Sequence, residues 1–475
     1  MEVLELNDIQ AYVIHDYDKM IFSRHVLLRV NDKESAKKWI AGIACDITHA
    51  ISHPETEENH HPQTALNIAF TAPGLEALGL HDDNIKAFSR EFREGMDTPH
   101  RRRMLGDSGN SSPDTWSWGN ATQEPVHILL MVFGINEEVC LNYFEKLQSE
   151  YLALGLSEGL KLDGQTLENN KEHFGFRDGI SQPVMYGSGI QGPKNDMVQP
   201  GEFIMGYQNE YKVYPQSPLI MHEQGEINLL PADAAQTGKK DLGKNGTYLV
   251  IRQMDQDVDA FWSFMNENTK NADGSVNALE STKLASKMLG RWPGGAPVTK
   301  FPDRDPGFIS NDNDFGYAKN DADGMKCPFG SHLRRANPRD SFEDNGPKLS
   351  LTLSNRHRII RRARLYGEPI IGSPTNHKPS GPVGILFNCF NADISRQYEF
   401  VQFTWVNSPK VKELYNDPDP FIGAQESSAE LQQNFTIQSK PVSKTITGLQ
   451  RFVTIRGGSY FFFPSITAIR YISTI

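Results

Sequence analysis

The chain has 475 residues, with 48 Lys plus Arg against 59 Asp plus Glu and a formal net charge of -11. That balance argues against a surface built for nucleic acid or anionic membrane and points to a small ligand. The length suits two or three domain-sized units or one large fold with insertions, and either buries a sizeable core. Four scattered cysteines, Cys45, Cys140, Cys327 and Cys389, with no C-x-x-C pair, indicate neither a zinc site nor a disulfide framework.

The opening "MEVLELNDIQAYVIHDYDKM" carries acids where an export signal needs a basic segment, and no apolar run is long enough to span a bilayer. A reduced, cytoplasmic chain is expected. "RHVLLRV" (24–30) then reads as a strand, "KESAKKWIAGIACDITHA" (33–50) as an amphipathic helix and "TALNIAFT" (64–71) as a strand, followed by a short Pro-started helix in "PGLEALGL". After a polar excursion come the strand "PVHILLMVFG" (125–134), the helix "NEEVCLNYFEKLQSEYLALGL" (136–156) and a weaker strand near "LKLDGQTL". This β-α-β-β-α-β order is the split βαβ, or ferredoxin-like, arrangement. Beyond it, "GTYLVIRQM" (246–254) leads into "DVDAFWSFMNEN", "GPVGILFNCF" (381–390) into "ISRQYEFVQFTWVN" (394–407), and "SYFFFPSI" is a last strand. The expected fold is α+β: two ferredoxin-like halves with antiparallel sheets, 1–215 and 216–475. The stretches 207–244 and 408–445 read as surface connections or insertions.

Several motifs tempt and fail. "GSGIQG" (187–192) matches the dinucleotide fingerprint letter for letter, but "PKNDMVQPG" follows where a helix must open, so a loop is expected. The histidines of "HPETEENHHP", His53, His60 and His61, sit in polar sequence between a helix and a strand and read as a solvated loop rather than a metal site. "EHFGFRDGISQPV" (172–184) contains G-x-x-D-G, which arises by chance in roughly one chain in ten of this length. "KCPFGSHLRRANPRD" (326–340) offers one histidine, His332, and "NRHRIIRRARLYG" (355–367) packs five arginines around Ile359, Ile360 and Leu365. Alone, each has an ordinary reading: a turn, a structural histidine, a solvated basic face.

Together these blocks, with "ALNIAFTAPGLEALGL", "REFREGMDTPHRRRMLGD", "MLGRWPGGAPV", "GILFNCFNADISRQYEFVQFTWVN" and "FVTIRGGSYFFFPSITAIRYI", resemble the dye-decolourising peroxidases, a family of haem b enzymes, over nearly the whole chain and in the family's order. The resemblance implies a DyP-type, dimeric α+β barrel-like fold and a haem b held without a covalent link. It implies roles as well. His332 aligns with the proximal histidine that binds the iron, Asp178 with the distal aspartate and Arg361 with the distal arginine. Hydrogen peroxide and small aromatic reductants are the implied partners, with no nucleic acid or membrane and possible homo-oligomerisation. The family chemistry is heterolysis of peroxide to an oxo-ferryl haem that oxidises dyes, phenols or similar donors one electron at a time.

The residue types suit that chemistry. An aspartate can take a proton from one peroxide oxygen and return it to the other, while a fixed guanidinium stabilises the charge that develops. With an ordinary aspartate pKa of about 3.9, turnover is expected on the acid side of neutrality. His357 is a rival axial ligand. Arg177 meets a haem propionate or supports its loop; Ile385 and Phe387 dry the pocket or serve as sheet core; Asp393 is expected on the other nitrogen of His332. Tyr398 and Trp405 relay electrons or simply pack. The separation of His332 and Arg361 exceeds the family's usual spacing, with the extra residues expected in "SFEDNGPKLSLTLSN". A haem-handling carrier with incidental peroxidase activity, or an α+β protein that binds no haem, are the competing functions; the acid-arginine pair favours the enzyme.

Overall fold

Strand β1 (Phe22–Val30) begins the principal sheet of the computed structural model, which describes residues 3–51, 62–309, 311–342, 346–369, 379–412, 414–424 and 433–475. Helix α1 (Lys33–Ile43) follows, capped by Asp32 accepting from the Ser35 N–H, and buries Ala36, Trp39, Ile40 and Ile43, the i, i+3, i+4, i+7 spacing of one helical face. It ends earlier than the 33–50 expected from the apolar pattern. Strands β2 (Thr64–Phe70) and β3 (Ile128–Gly134), helix α2 (Glu137–Ala153) and strand β4 (Leu156–Gln165) complete the first unit. Asn136 caps α2.

The second group comprises β5 (Thr247–Gln256), helices α3 (Val258–Glu267) and α4 (Ala278–Leu289), the short helix α5 (His332–Ala336), β6 (Ile360–Arg361), β7 (Arg364–Tyr366), β8 (Gly384–Asn391) and β9 (Val453–Phe463). β6 and β7 come from the arginine-rich stretch that reads in sequence as a solvated face. "ISRQYEFVQFTWVN" is helical as expected, but wound as a π-helix over Ser395–Glu399 and Val401–Val406.

The strands run antiparallel in the orders β2-β3-β1-β4 and β9-β5-β8-β7, each the order of a ferredoxin-like unit. Single residue pairs, Phe70 with Phe462 and Gln165 with Leu365, join the two groups at both edges, so the sheet closes on itself. The result is an α+β barrel with no long free edge. Side chains alternate across it. Val26, Leu28, Leu130, Val132 and Val250 pack with the helices, whereas Leu27, Leu129, Met131, Phe133, Leu249 and Ile251 share a second core with Tyr12 and Tyr17. Tyr12 touches Phe133 of β3 at 4.7 Å and Phe390 of β8 at 5.7 Å, bridging the two groups.

Among the described residues no helix is long and apolar enough to cross a membrane. Cys45 is exposed and the other three cysteines are buried, all unpaired. His53, His60 and His61 lie outside the described residues, as does part of "SFEDNGPKLSLTLSN".

Candidate active site

Period-two geometry on β8 sends Leu386 and Phe390 to the inner core and Ile385 and Phe387 the other way, into a cavity between sheet and helices. That cavity holds about 1540 Å³ of atom-free space, its open mouth included. Met254 from β5, Leu289 from α4, Val401 and Val406 from the π-helical segment, and Phe421 with Ile422 make most of its wall apolar. Against this wall stand His332, Asp178 and Arg361. The structure thus brings together six of the seven site residues expected from sequence, Arg177, Ile385 and Phe387 included.

His332 opens α5, and its Nδ1 lies 2.8 Å from Asp419 Oδ2. Asp419 is wholly buried, and its other oxygen accepts the Phe421 and Ile422 N–H groups at 2.9 and 3.0 Å. Burial pushes the His332 imidazole down, but the Asp419 charge and hydrogen bond outweigh it and the net shift is upward; Asp419 is held below the usual carboxylate range despite its burial. Nothing among the described residues hydrogen-bonds His332 Nε2. Arg335 fastens the arrangement by donating to the carbonyls of Trp405, Ser408 and Asp417, which ties the loop before Asp419 to α5.

Asp393 does not fill the role expected of it. Its carboxylate accepts from Arg396 N and Nε at 2.9 and 3.3 Å, anchoring the start of the π-helical segment three residues on, and it does not line the cavity. The acid behind His332 is Asp419, in a stretch that reads as a surface connection. The sequence signal was "NDPDPF": one acid, Asp419, held between two prolines and beside an aromatic, unlike a freely solvated turn.

Asp178 sits on a loop whose shape its glycines permit, with φ of 95° at Gly175 and 82° at Gly179. The Gly179 N–H donates to Asp178 Oδ1 at 2.7 Å and Arg361 Nη1 to the same atom at 3.1 Å, leaving Oδ2 without a hydrogen-bond partner among the described residues. Burial alone raises the carboxyl's pKa, but Arg361, the Gly179 N–H and His332 together hold it below its ordinary value. Arg361 is placed from both sides of its backbone: its N–H donates to Gln182 Oε1 at 3.1 Å, and Gln182 Nε2 donates to its carbonyl at 3.0 Å. The "SQP" that closes the loop is therefore the clamp for the arginine.

The other arginines of this region have different partners. Arg177 donates to the carbonyls of Asn169 and Ile309 and to Asn311, with Phe308 against its guanidinium at 4.6 Å, so its donors hold the loop although it lines the cavity. Arg362 and Arg364 are buried and donate to backbone carbonyls of residues 12–17. Arg358, also buried, is pushed down to about 10 by burial and the neighbouring Arg339 and Arg361, with Asp196 opposing at 3.6 Å. His357 lines the cavity, but its Nδ1 meets the Arg396 carbonyl at 2.6 Å and its ring stacks on Phe400 at 3.9 Å. Tyr398 lines the cavity, while Trp405 is buried beside Phe342 and Phe400. A second, smaller cavity meets the first at Glu172, Arg177, Asp178 and Arg361 and is walled by Asp16, Asp18 and Arg362.

Comparison with known proteins agrees with the fold. The family model for the DyP dimeric alpha+beta barrel domain matches residues 8–166. The chain is 27% identical to a dye-decolorizing peroxidase of Exidia glandulosa, covering 98% of this chain and 86% of that one. Domain model, relatives and solved structures all indicate the dye-decolorizing peroxidase family. This peroxidase, an oxidoreductase, is also 26% identical to the multifunctional dye peroxidase DyP2 of an Amycolatopsis species over 99% of its own length and 95% of the relative's. A solved structure of an ancestral D-type dye decolorizing peroxidase superposes with a TM-score of 0.80 at 26% identity over the whole of both chains.

Proposed function

We propose that this peroxidase uses hydrogen peroxide to oxidise dyes, phenols and similar one-electron donors, with a non-covalent haem b in the larger cavity. The observation that carries the reading is the meeting, within one largely apolar cavity, of an imidazole whose Nε2 has no hydrogen-bond partner among the described residues and an Asp178 carboxyl paired with Arg361. The cavity fits such a group: it is large, it is walled by Ile385, Phe387, Met254 and Phe421, and its free imidazole nitrogen is of the type that ligates iron. His332 would hold the iron, and the buried Asp419 would fix its tautomer and strengthen it as a donor. Arg358, whose buried Nη2 makes no hydrogen bond and has only the 3.6 Å ion pair with Asp196, suits an anionic edge such as a propionate.

When bound, haem would supply the iron at which peroxide is reduced by two electrons and from which donors are then oxidised singly. The rest falls to side chains. Asp178 Oδ1 is occupied by Arg361 and Gly179, so Oδ2 is the atom that takes the proton from peroxide and hands it to the departing oxygen. Arg361, charged at every working pH, stabilises the hydroperoxide anion and the charge on the leaving oxygen. Phe174, Phe176 and Phe387 keep bulk water from the pair. The names of the relatives, dye peroxidases, support dyes as donors, and four unpaired cysteines suit a cytoplasmic setting.

Replacing Asp178 by Asn tests the reading. The variant should keep its haem absorption while its reaction with one equivalent of peroxide slows by about 10²–10⁴-fold. A wild-type rate would favour a haem carrier instead.

A further inference from the structure

Glu172 lies six residues before Asp178 and lines both cavities with it. The loop is folded around its carboxylate: Oε2 accepts the Phe174 N–H at 2.9 Å, Oε1 accepts the Phe176 N–H at 2.9 Å, and Gln256 Nε2 donates to Oε2 at 2.6 Å. Opposite it, Gln256 Oε1 is buried and has no hydrogen-bond partner. That orphan acceptor is informative. Turned about its terminal bond, the same amide would offer Oε1 to Glu172, which suits a carboxylic O–H in place of a carboxylate. The site can therefore satisfy Glu172 in either protonation state, with the loop N–H groups retained.

The charges around it leave Glu172 unpaired. Arg177, Asp178 and Arg361 face it in both cavities; Arg177 is spent on its loop and Arg361 on Asp178. The larger cavity adds His332 on Asp419, buried Arg291 and Arg358, and His357 with Tyr398. The smaller adds Asp16 and Asp18, with Arg362 and Arg364 spent on backbone carbonyls. In the chain it is flanked by Lys171 and by His173, which burial pushes down to about 4.

We propose that Glu172 is a second proton-holding carboxyl of the distal wall, a positioning residue whose ionisation places a negative charge beside Asp178 and closes the alkaline side of the peroxide reaction. The proposal rests on Asp178 and Arg361 being the distal pair. While Glu172 is neutral, Arg361 answers one carboxylate and the incoming hydroperoxide anion. Once it is ionised, its proton lost to solvent through the smaller cavity, a second carboxylate opposes that anion. Burial, helped by the Asp178 charge and opposed by the loop N–H groups and Gln256, pushes its pKa up to about 7, consistent with a limb in the neutral range. Asp178, held low, titrates far below it.

Two readouts on the haem-loaded enzyme decide the matter: kcat/KM for hydrogen peroxide against pH, and the infrared band of a protonated carboxyl that disappears across neutrality. In Glu172→Gln the alkaline limb and that band should both be lost. Gln256→Leu keeps the two loop bonds and removes a donor that favours the anion, so limb and band should move up together by about one pH unit, a tenfold change in the ionisation constant. It answers the question even if Glu172→Gln fails to fold. An unmoved limb and band in either folded variant overturns the proposal. An Asp178→Asn enzyme with the wild-type peroxide rate overturns the distal-pair reading instead, and there the band should move to lower pH.

Discussion

His332 and Asp419 meet at 2.8 Å across 87 residues of chain, with the carboxylate wholly buried and tied to two backbone N–H groups. Arg361 and Asp178 meet at 3.1 Å across 183 residues, yet 24% and 37% of their side chains stay open. The first pair has a carboxylate locked by its surroundings; the second has an oxygen, Asp178 Oδ2, with no hydrogen-bond partner among the described residues. The difference is what a ligand-holding side and a reacting side require. A ligand gains from a fixed tautomer and orientation, whereas a proton shuttle needs an unoccupied atom facing its substrate.

The contrast can be broken from either side. On the reacting wall, Arg361→Leu should lower kcat/KM for peroxide by about 10²–10³-fold, the size of a lost charge-stabilising donor. It should also move the acid limb. With Arg361 present, Asp178 stays ionised below its ordinary value of 3.8; without it, burial dominates and the carboxyl takes up its proton at higher pH, so activity is lost at less acidic pH. A pH profile in which the acid limb stays put while the rate falls would separate Arg361 from Asp178. On the locked wall, Asp419→Asn should weaken haem retention by about 10–100-fold with the fold intact, measured by transfer of haem to an apoprotein acceptor. Gln182→Ala keeps the arginine at 361 but removes its backbone clamp, so a loss of about tenfold in peroxide kcat/KM, with haem affinity unchanged, is expected from displacement of the guanidinium.

The first four strands and two helices are readable because their periods are clean: α1 buries Ala36, Trp39, Ile40 and Ile43, and Asn136 and Asp32 mark the helix starts. β6 and β7 are not readable in this way. Arg362 and Arg364 look solvated until the carbonyls of residues 12–17 come to meet them, a contact spanning about 350 residues that no local pattern records. His332, Asp178 and Arg361 were identifiable through family resemblance; their spacing alone carries no chemistry. Asp393 is expected beside His332 from the sequence, but the π-helical turn uses it, and Asp419 arrives from a loop folded back by Arg335. Glu172 stood inside the most conspicuous stretch of the chain, and its role emerges only when its carboxylate is seen to collect the N–H groups of Phe174 and Phe176.

The most direct test of the central claim, that His332 holds haem opposite Asp178 and Arg361, is the absorption spectrum of haem-supplemented wild type, His332→Ala and His357→Ala. A Soret band in the wild type and in His357→Ala, absent or readily washed out in His332→Ala, is the expected result. No Soret band in the wild type, or a band retained by His332→Ala and lost in His357→Ala, would contradict it.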